Sequence, residues 1–306
     1  MKHIAIFAEE SSLFAAPYLA EAISCNLYVM LPQYNNFFGG GKMGIPWREG
    51  KNIWEEHLIV IGYAALKAIE KQLDRFETVA FINSESAACR EWRWVKDVIR
   101  YRNITHYAMP DKEPYIRNGF IPAYQHIKIK RKPDILPGKP LVITHSPNNP
   151  EKYKLKGSEF IIDVVKELQK KHKFIFNLIQ NMPMKKCIPI KGASHIFIDQ
   201  VIYKNPTVPQ SRWGSKITYN GGLGKSGIEA MLMGVCTITG GIEPNTSEWF
   251  PVPPVVWTSY NDFSMDLERL IEDPDYHIKK AEDQKEWAEK YTSAEFVAKH
   301  VTQHLR

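Results

Sequence analysis

The chain has 306 residues, of which 44% are hydrophobic and 24% are charged, and its formal net charge is +6. This length fits two domains of about 150 residues each, and the composition excludes a largely disordered chain. The positive charge favours anionic partners such as nucleotides, phospholipid head groups or nucleic acid, or it belongs to a solvated surface without a partner.

The four cysteines, Cys25, Cys89, Cys187 and Cys236, are far apart and form no C-x-x-C pair. This spacing argues against a disulfide framework or a zinc site and favours a reducing compartment. The N-terminal residues lack the apolar core of a signal peptide, and the longest apolar stretch is too short for a membrane span. We therefore expect a cytoplasmic protein without a transmembrane segment, for which peripheral membrane contact stays open.

Apolar runs alternate with helical patterns from the start of the chain, as in a parallel α/β sheet. The predicted strands of the first half are Ile4–Ala8, Asn26–Leu31, His57–Gly62 and Thr78–Asn83, and the first predicted helix is Ser12–Ile23. A stretch rich in Gly and Asn interrupts this pattern between Pro32 and Glu56. We predict a long loop there, and long loops in compact domains often carry function.

The alternation starts again after Ile127–Gly138, a basic segment with two prolines that is the best candidate for a linker. The predicted strands of the second half are Leu141–Thr144, Phe174–Ile179, His195–Asp199 and Val235–Thr239, and the predicted helices are Ser158–Lys171, Phe263–Glu272, Tyr276–Lys290 and Ser293–Leu305. Thr292 and Glu295 form a capping-box pattern at the start of the last helix.

The fold class predicted from this order is α/β, with two Rossmann-like, doubly wound domains and a cleft between them. We place an N-terminal domain at residues 1–130, a linker at 131–138 and a C-terminal domain at 139–306, whose final helices can pack back on the N-terminal domain. In such sheets ligands lie at the carboxyl ends of the strands, and the candidate site residues are sought there.

The most informative segment, Gly221–Thr239, is a glycine-rich turn followed by a short amphipathic helix and a buried strand. Gly224 permits a positive φ and a close approach of the backbone to a ligand. Ser226 lies where the helix starts, so amide groups and the helix dipole there favour an anion, and Lys225 adds a full positive charge. The pattern predicts a phosphate-binding turn; a tight turn that needs glycine only for its own geometry has the same pattern.

The run GIEAMLMGVCTIT within this segment resembles the E-A-M-x-x-G signature of the C-terminal domain of GT-B glycosyltransferases, particularly the retaining, family-4-like type. Four earlier pieces agree in order and spacing, and the resemblance spans roughly residues 139–240. These pieces are ITHSP at 143–147, KGSE at 156–159, FIFNLI at 174–179 and SHIFIDQ at 194–200.

The resemblance implies a nucleotide-sugar donor, UDP- or GDP-linked, held by the C-terminal domain. It implies that Glu229 binds the ribose hydroxyls and that Lys156 contacts the diphosphate, as does the backbone from Gly224 through Lys225 to Ser226. A lysine and a helix N-terminus stabilise the leaving diphosphate, so no metal cofactor is required. The chain departs from the family at Gly221, where a second glutamate often stands, and in the residues after Asp199. Those residues include Arg212, a candidate for the acceptor side, or they form a surface loop without a ligand.

Glu9 and Glu10 follow the first predicted strand, and one of them is our choice for a catalytic or orienting carboxylate. Ser11 and Asn83 also lie at predicted strand ends and are candidates for the acceptor side, although surface turns commonly hold such residues. The segment Arg90–Arg102 interleaves arginines such as Arg90 and Arg93 with tryptophans. Such a face can bind a nucleic-acid backbone, or it is an amphipathic helix with Trp inward and Arg outward.

Two patterns that suggest metal sites have simpler interpretations. Asp273 and Asp275 flank a proline between two predicted helices, which is typical of a turn or an N-cap. His300 and His304 are four residues apart on the last predicted helix without an evident third ligand, and such histidines suit the helix dipole.

The sequence therefore predicts a nucleotide-sugar-dependent, hexosyltransferase-like glycosyltransferase. Its acceptor is a glycan, a lipid-linked glycan, or a hydroxylated base in double-stranded DNA, as in phage DNA modification. The alternatives are a nucleotide-sugar epimerase and a non-catalytic protein that binds nucleotides or nucleic acid on the same scaffold.

Overall fold

The computed structural model describes residues 4–8, 16–30, 45–47, 52–61, 63–82, 105–108, 117–118, 140–148, 156–201, 223–240 and 251–303. The described strands form two sheets, one of seven strands and one of five, and every strand pair in both is parallel. Each sheet has helices packed against it, which confirms the predicted α/β architecture of two Rossmann-like domains. None of the described helices combines the length and the apolar character needed to cross a bilayer.

The first sheet has the strand order β3-β2-β1-β4-β5-β6-β7. Its strands are β1 (Ile4–Ala8), β2 (Asn26–Met30), β3 (Ile45–Trp47), β4 (His57–Ile61), β5 (Thr78–Ile82), β6 (Thr105–Ala108) and β7 (Arg117–Asn118). Its helices are α1 (Ala16–Ile23) and α2 (Tyr63–Ile69), and a 3₁₀ turn at Glu70–Arg75 continues α2.

Successive residues of the central strands β1 and β4 face opposite sides of this sheet, as the two-residue period of a strand requires. Ile6 and Ile59 pack with α1 on one side, and Phe7 and Leu58 pack with α2 on the other. Both sides are covered, so these strands are apolar throughout rather than alternating.

The second sheet has the order β12-β11-β10-β8-β9. Its strands are β8 (Leu141–Asn148), β9 (Phe174–Gln180), β10 (Ile196–Ile198), β11 (Cys236–Gly240) and β12 (Val256–Thr258). Its helices are α3 (Ser158–Gln169), α4 (Met184–Gly192), α5 (Lys225–Leu232), α6 (Phe263–Glu272) and α7 (Pro274–Tyr291), and α8 (Ala294–Gln303) follows them in the chain.

The last helix, α8, packs beside α1 on the first sheet, although it follows the helices of the second. Ala294, Val297, Ala298 and Val301 share a buried cluster with the residues of β1 and β4. The end of the chain therefore contributes to the core of the N-terminal half.

Three local predictions are wrong. The predicted loop 32–56 contains the short strand β3, whose edge position tolerates Pro46 and leaves Ile45 46% exposed, so no buried apolar run marks it. Strand β8 continues beyond its predicted end at Thr144 to Asn148, because β9 pairs with it beyond an irregularity after His145. Residues 32–44 and 48–51 of the loop and the candidate linker lie outside the described part of the chain.

The third wrong prediction is the capping box. The Thr292 hydroxyl donates to the carbonyl of Ala288 in the preceding helix (2.6 Å), so it does not cap α8. The Ser293 hydroxyl accepts from the Phe296 amide (3.2 Å) instead, one residue later than predicted. The predicted N-cap at Asp273 is confirmed, since its carboxylate accepts from the Tyr276 amide at the start of α7 (2.9 Å).

Candidate functional site

Buried polar side chains concentrate where β8 and β10 end and where α3 and α5 begin. This is the carboxyl edge of the second sheet, the edge at which doubly wound domains bind ligands. The buried polar or charged residues at this edge are His145, Ser146, Ser158, Asp199, Gln200 and Glu229, and nearby are Thr144 within β8, Lys191 in the last turn of α4 and Ser194 before β10. Buried polar groups need hydrogen-bond partners, and the partners at this edge form two connected networks.

The first network is centred on Asp199, which follows β10 directly and is fully buried. Its Oδ1 accepts from the ammonium of Lys156 (2.8 Å), whose side chain is 15% exposed. Its Oδ2 accepts from the backbone amide of Gly224 (2.5 Å), the residue before α5. One carboxylate thus joins the turn before α3 to the glycine turn before α5.

Gly224 before α5 and Gly227 in its first turn both pack closely on Asp199. Gly224 has an ordinary extended backbone, with φ −83° and ψ 168°, so positive φ is not its reason for being glycine. A Cβ there would lie 2.9 Å from Asp199 Oδ2. A Cβ at Gly227 would lie 2.6 Å from the Leu223 side chain. The described close neighbour of the Gly224 backbone is therefore the carboxylate of Asp199, and the close approach to a ligand stays a prediction.

The second network surrounds Glu229 on the second turn of α5. Its Oε2 accepts from the ammonium of Lys191 in the last turn of α4 (2.7 Å), and both residues are buried. The same ammonium lies 3.2 Å from Ser226 Oγ, in the first turn of α5, and 5.5 Å from the centre of the Phe197 ring. The pairing with Lys191 stabilises a carboxylate that would otherwise be buried without a counter-ion.

His145 supports the start of α3 from within the sheet. Its Nδ1 donates to the carbonyl of Ile198 (2.8 Å), so its Nε2 accepts from the hydroxyl of Ser158 (2.7 Å). Burial lowers the pKa of His145 to about 4, against the smaller, opposite effect of the Ile198 carbonyl. The imidazole is therefore neutral near pH 7 and acts here as a fixed hydrogen-bonding group.

The predicted donor residues lie together in the described structure. Lys156 is linked through Asp199 to Gly224, and Lys225, Ser226 and Glu229 follow Gly224 on the first turns of α5. The other predicted site residues lie outside the described part of the chain; they are Glu9, Glu10, Ser11, Asn83, Arg90, Arg93 and Arg212.

Sequence reasoning missed the ion partners of the donor residues. Asp199 could have been found, because it directly follows a buried strand and carboxyl strand ends carry sites. Lys191 lies on α4, a helix that the sequence interpretation did not predict and that contains Pro189. No sequence signal places the Lys191 ammonium beside Glu229, which is 38 residues away.

A further cluster of possible metal ligands lies elsewhere on the second domain, just before β9. His172 Nε2 is 2.9 Å from Glu268 Oε1 and 3.8 Å from Glu272 Oε1. The three residues can each offer one ligand atom to an ion. Lys171 also donates to Glu268 (3.2 Å), so the arrangement already forms a self-contained surface ion cluster.

Comparisons with known proteins identify the fold. Neither a protein-family model nor a curated protein matches the sequence. An α-glucosyltransferase in complex with UDP-glucose and DNA containing an abasic site superimposes with a TM-score of 0.60 at 12% identity, over 99% of this chain and 98% of that one. Sucrose-phosphate synthase from Thermosynechococcus elongatus gives a TM-score of 0.58 at 10% identity, over 100% and 98% of the two chains.

The UDP-GlcNAc 2-epimerase from Neisseria meningitidis, bound to UDP-GlcNAc, also matches. Its TM-score is 0.51 at 12% identity, over 100% of this chain and 99% of that one. At such identities the likeness shows the fold alone. The protein has the GT-B scaffold, which glycosyltransferases and UDP-GlcNAc epimerases share, and the narrower family-4 resemblance stays a prediction.

Proposed function

We propose that the protein is a glycosyltransferase that holds a UDP-sugar at the carboxyl edge of its second sheet and transfers the sugar to an acceptor hydroxyl. The observation that carries the proposal is the convergence of Lys156, the N-terminus of α5 and Glu229 at this edge. A cation, a helix N-terminus and a carboxylate in this order suit a diphosphate followed by a ribose.

Each group has capacity left for a ligand. The Lys156 ammonium has three N–H donors, of which Asp199 takes one. Helix α5 adds the positive end of its dipole, as every helix N-terminus does. Glu229 Oε2 accepts from the Lys191 ammonium, and the second carboxylate oxygen, Oε1, can accept from ribose hydroxyls. These assignments follow the order of the groups in space, from Lys156, linked through Asp199 to the N-terminus of α5, to Glu229 on the second turn of that helix.

The proposed reaction forms a bond between the acceptor oxygen and the anomeric carbon of the sugar. The bond from that carbon to the diphosphate oxygen breaks, UDP leaves, and the proton of the acceptor hydroxyl passes to a carboxylate or to the departing phosphate. Lys156 and the N-terminus of α5 stabilise the negative charge that develops on UDP. Glu9 and Glu10 directly follow β1 in the sequence. One of these two residues is the proposed acceptor-side carboxylate.

The uracil base is proposed because proteins of the same scaffold were solved with UDP, UDP-glucose or UDP-GlcNAc. The acceptor belongs to one of two classes, a glycan hydroxyl or a hydroxylated base in DNA. The α-glucosyltransferase of similar fold was solved in complex with DNA. The net charge of +6 on this chain suits either a DNA backbone or an anionic glycan.

Ligand binding tests the donor site directly. Nucleoside diphosphates and UDP-sugars are screened by thermal shift, where a ligand at a hundred times its Kd adds about 2.7 kcal/mol of stability. We expect a clear shift with UDP and its sugars, and a weaker one in Lys156→Ala and Glu229→Ala. Lys166→Ala is the matched control, since Lys166 is an exposed lysine on α3. Unchanged UDP affinity in both site variants contradicts the assignment.

Product analysis separates the remaining functions. A transferase releases UDP from a UDP-sugar when the acceptor is present, whereas an epimerase interconverts two UDP-sugars and keeps the bond between sugar and diphosphate. A binding protein does neither. A salt-sensitive gel shift with duplex DNA, together with sugar incorporation into hydroxylated DNA, identifies the DNA acceptor.

A further inference from the structure

We propose that Asp199 is the positioning residue of the diphosphate site. Its carboxylate accepts hydrogen bonds from the Lys156 ammonium and from the Gly224 amide, and so holds both groups where they can bind the phosphates. The inference rests on the proposed nucleotide-binding function and adds to it a residue that need not touch the ligand. Asp199 is absent from the residues that the sequence resemblance assigns to donor binding.

The geometry shows one side chain serving two separate segments. Lys156 lies 43 residues before Asp199, and Gly224 lies 25 residues after it. Each segment meets a different oxygen of the same carboxylate. The amide of Val201 also donates to the carbonyl of Lys156 (3.0 Å), so the chain beyond Asp199 holds the same turn through its backbone.

Burial stabilises the ion pair between Asp199 and Lys156 against separation. The Asp199 carboxylate is fully buried, and separating it from Lys156 would leave an uncompensated charge inside the protein. The ion pair therefore stays intact when a ligand arrives. The Lys156 side chain remains 15% exposed, so its other N–H groups have access to a ligand from the solvent side.

Close packing also restricts the position of the Asp199 carboxylate. Positions that a Cβ would occupy at Gly224 and Gly227 lie 2.9 Å and 3.2 Å from Asp199 Oδ2. The first turn of α5 therefore rests against the carboxylate with no space between them. A displaced Asp199 would move both Lys156 and the N-terminus of α5 away from the phosphates.

This arrangement predicts a loss that is specific to phosphate groups. Asp199→Asn keeps the size of the side chain, and its carbonyl oxygen can still accept from Gly224. Its NH₂ group cannot accept from an ammonium, so Lys156 loses its anchor. Ligands that carry a diphosphate should lose affinity, and a nucleoside without phosphates should not.

Calorimetric titration of the full chain with UDP, pyrophosphate and uridine tests the inference. In Asp199→Asn we expect at least a tenfold rise in Kd for UDP and for pyrophosphate, with an unchanged Kd for uridine. Asp163→Asn is the matched control, since Asp163 is an exposed partner of Lys166, and it should leave all three values unchanged. Unchanged or tighter pyrophosphate binding in Asp199→Asn overturns the inference, and an equal loss for uridine does so too, because it indicates a general structural role.

A second variant applies if Asp199→Asn does not fold. Gly224→Ala leaves every charge in place and presses a methyl group on Asp199 Oδ2. The same selective loss is expected, and unaltered pyrophosphate binding overturns the inference. If the unaltered protein binds pyrophosphate but does not bind UDP, the proposed donor is wrong, and the Kd values for pyrophosphate alone test the role of Asp199. If the unaltered protein binds neither ligand, both proposals fail.

Discussion

Both sheets of this protein are parallel, but their strands differ in the polarity of the side chains that they bury. The central strands of the first sheet end on apolar residues, Ala8, Ile61 and Ile82, all at 1% exposure or less. In the second sheet β8 buries Thr144 and His145 in its interior, and Thr144 Oγ1 lies 2.5 Å from Ser194 Oγ.

The difference in buried polar groups indicates which parts of each half can bind a ligand. An apolar strand contributes packing, so any site in the first half depends on the segments that follow its strands. A buried polar group stabilises a fold only when it has a partner, and the second half supplies partners for Asp199, Glu229 and His145. Stability and ligand binding are therefore expected to be separable in the first half and coupled in the second.

The largest expected effect is in the first sheet. Phe81→Ala removes a fully buried ring from the face that packs on α2 and should lower the free energy of unfolding by about 3–5 kcal/mol. Urea denaturation measures this change, and the Kd for UDP should stay the same in the folded protein. Met265→Ala, at an exposed position, should change stability by less than about 0.5 kcal/mol. A tenfold change in Kd for Phe81→Ala would break the separation of the halves.

The next effect couples stability to binding. Lys191→Met leaves Glu229 buried without its ion partner and should lower the free energy of unfolding by about 3 kcal/mol. UDP affinity should fall as well, because Glu229 loses its orientation. Lys170→Met removes an exposed pair with Glu167 and should lower stability by less than about 1 kcal/mol. Equal stability losses for the two lysines would contradict the role of burial.

The third effect is a pH dependence that belongs to the second sheet. The pKa of His145 is about 4 in the folded protein, against 6.5 as its ordinary value. Between these values the unfolded chain binds a proton and the folded protein does not, so stability falls as the pH drops from 6.5 to 4, by about 3 kcal/mol at most. Urea denaturation at several pH values measures this loss.

A matched variant assigns this pH dependence to its residue. His145→Gln should flatten the stability profile between pH 6.5 and 4. Burial also lowers the pKa of His277, so part of the slope should remain in the variant. An unchanged slope in His145→Gln would show that His145 is not the group whose protonation destabilises the second half.

The smallest expected effect concerns α8, the helix that joins the end of the chain to the first sheet. Ser293→Ala removes the hydroxyl that accepts from the Phe296 amide and should lower stability by about 1 kcal/mol. Ser264→Ala, an exposed serine in α6, should change it by less than about 0.5 kcal/mol. A null result for Ser293→Ala would mean that packing alone holds the start of α8.

Most of the fold could be predicted from the sequence, since long apolar runs mark buried parallel strands. Strand β1 was predicted with its observed bounds, and α6 likewise. Strand β3 and helix α4 escaped prediction because one is a three-residue edge strand and the other contains Pro189. Within the candidate site, Lys156 and Glu229 were found through a motif, and the structure then showed an ion partner for each.

The sequence by itself determined the alternation of strands and helices, the glycine turn before α5 and the residue types expected at a nucleotide-sugar site. These features are local, because each depends on periodicity or spacing within a few turns of chain. Only the tertiary structure decided that Asp199 holds Lys156 and the Gly224 amide, and that Lys191 neutralises Glu229. Those contacts join residues 25 to 43 positions apart, and folding brings them together because buried charges are stable only when paired.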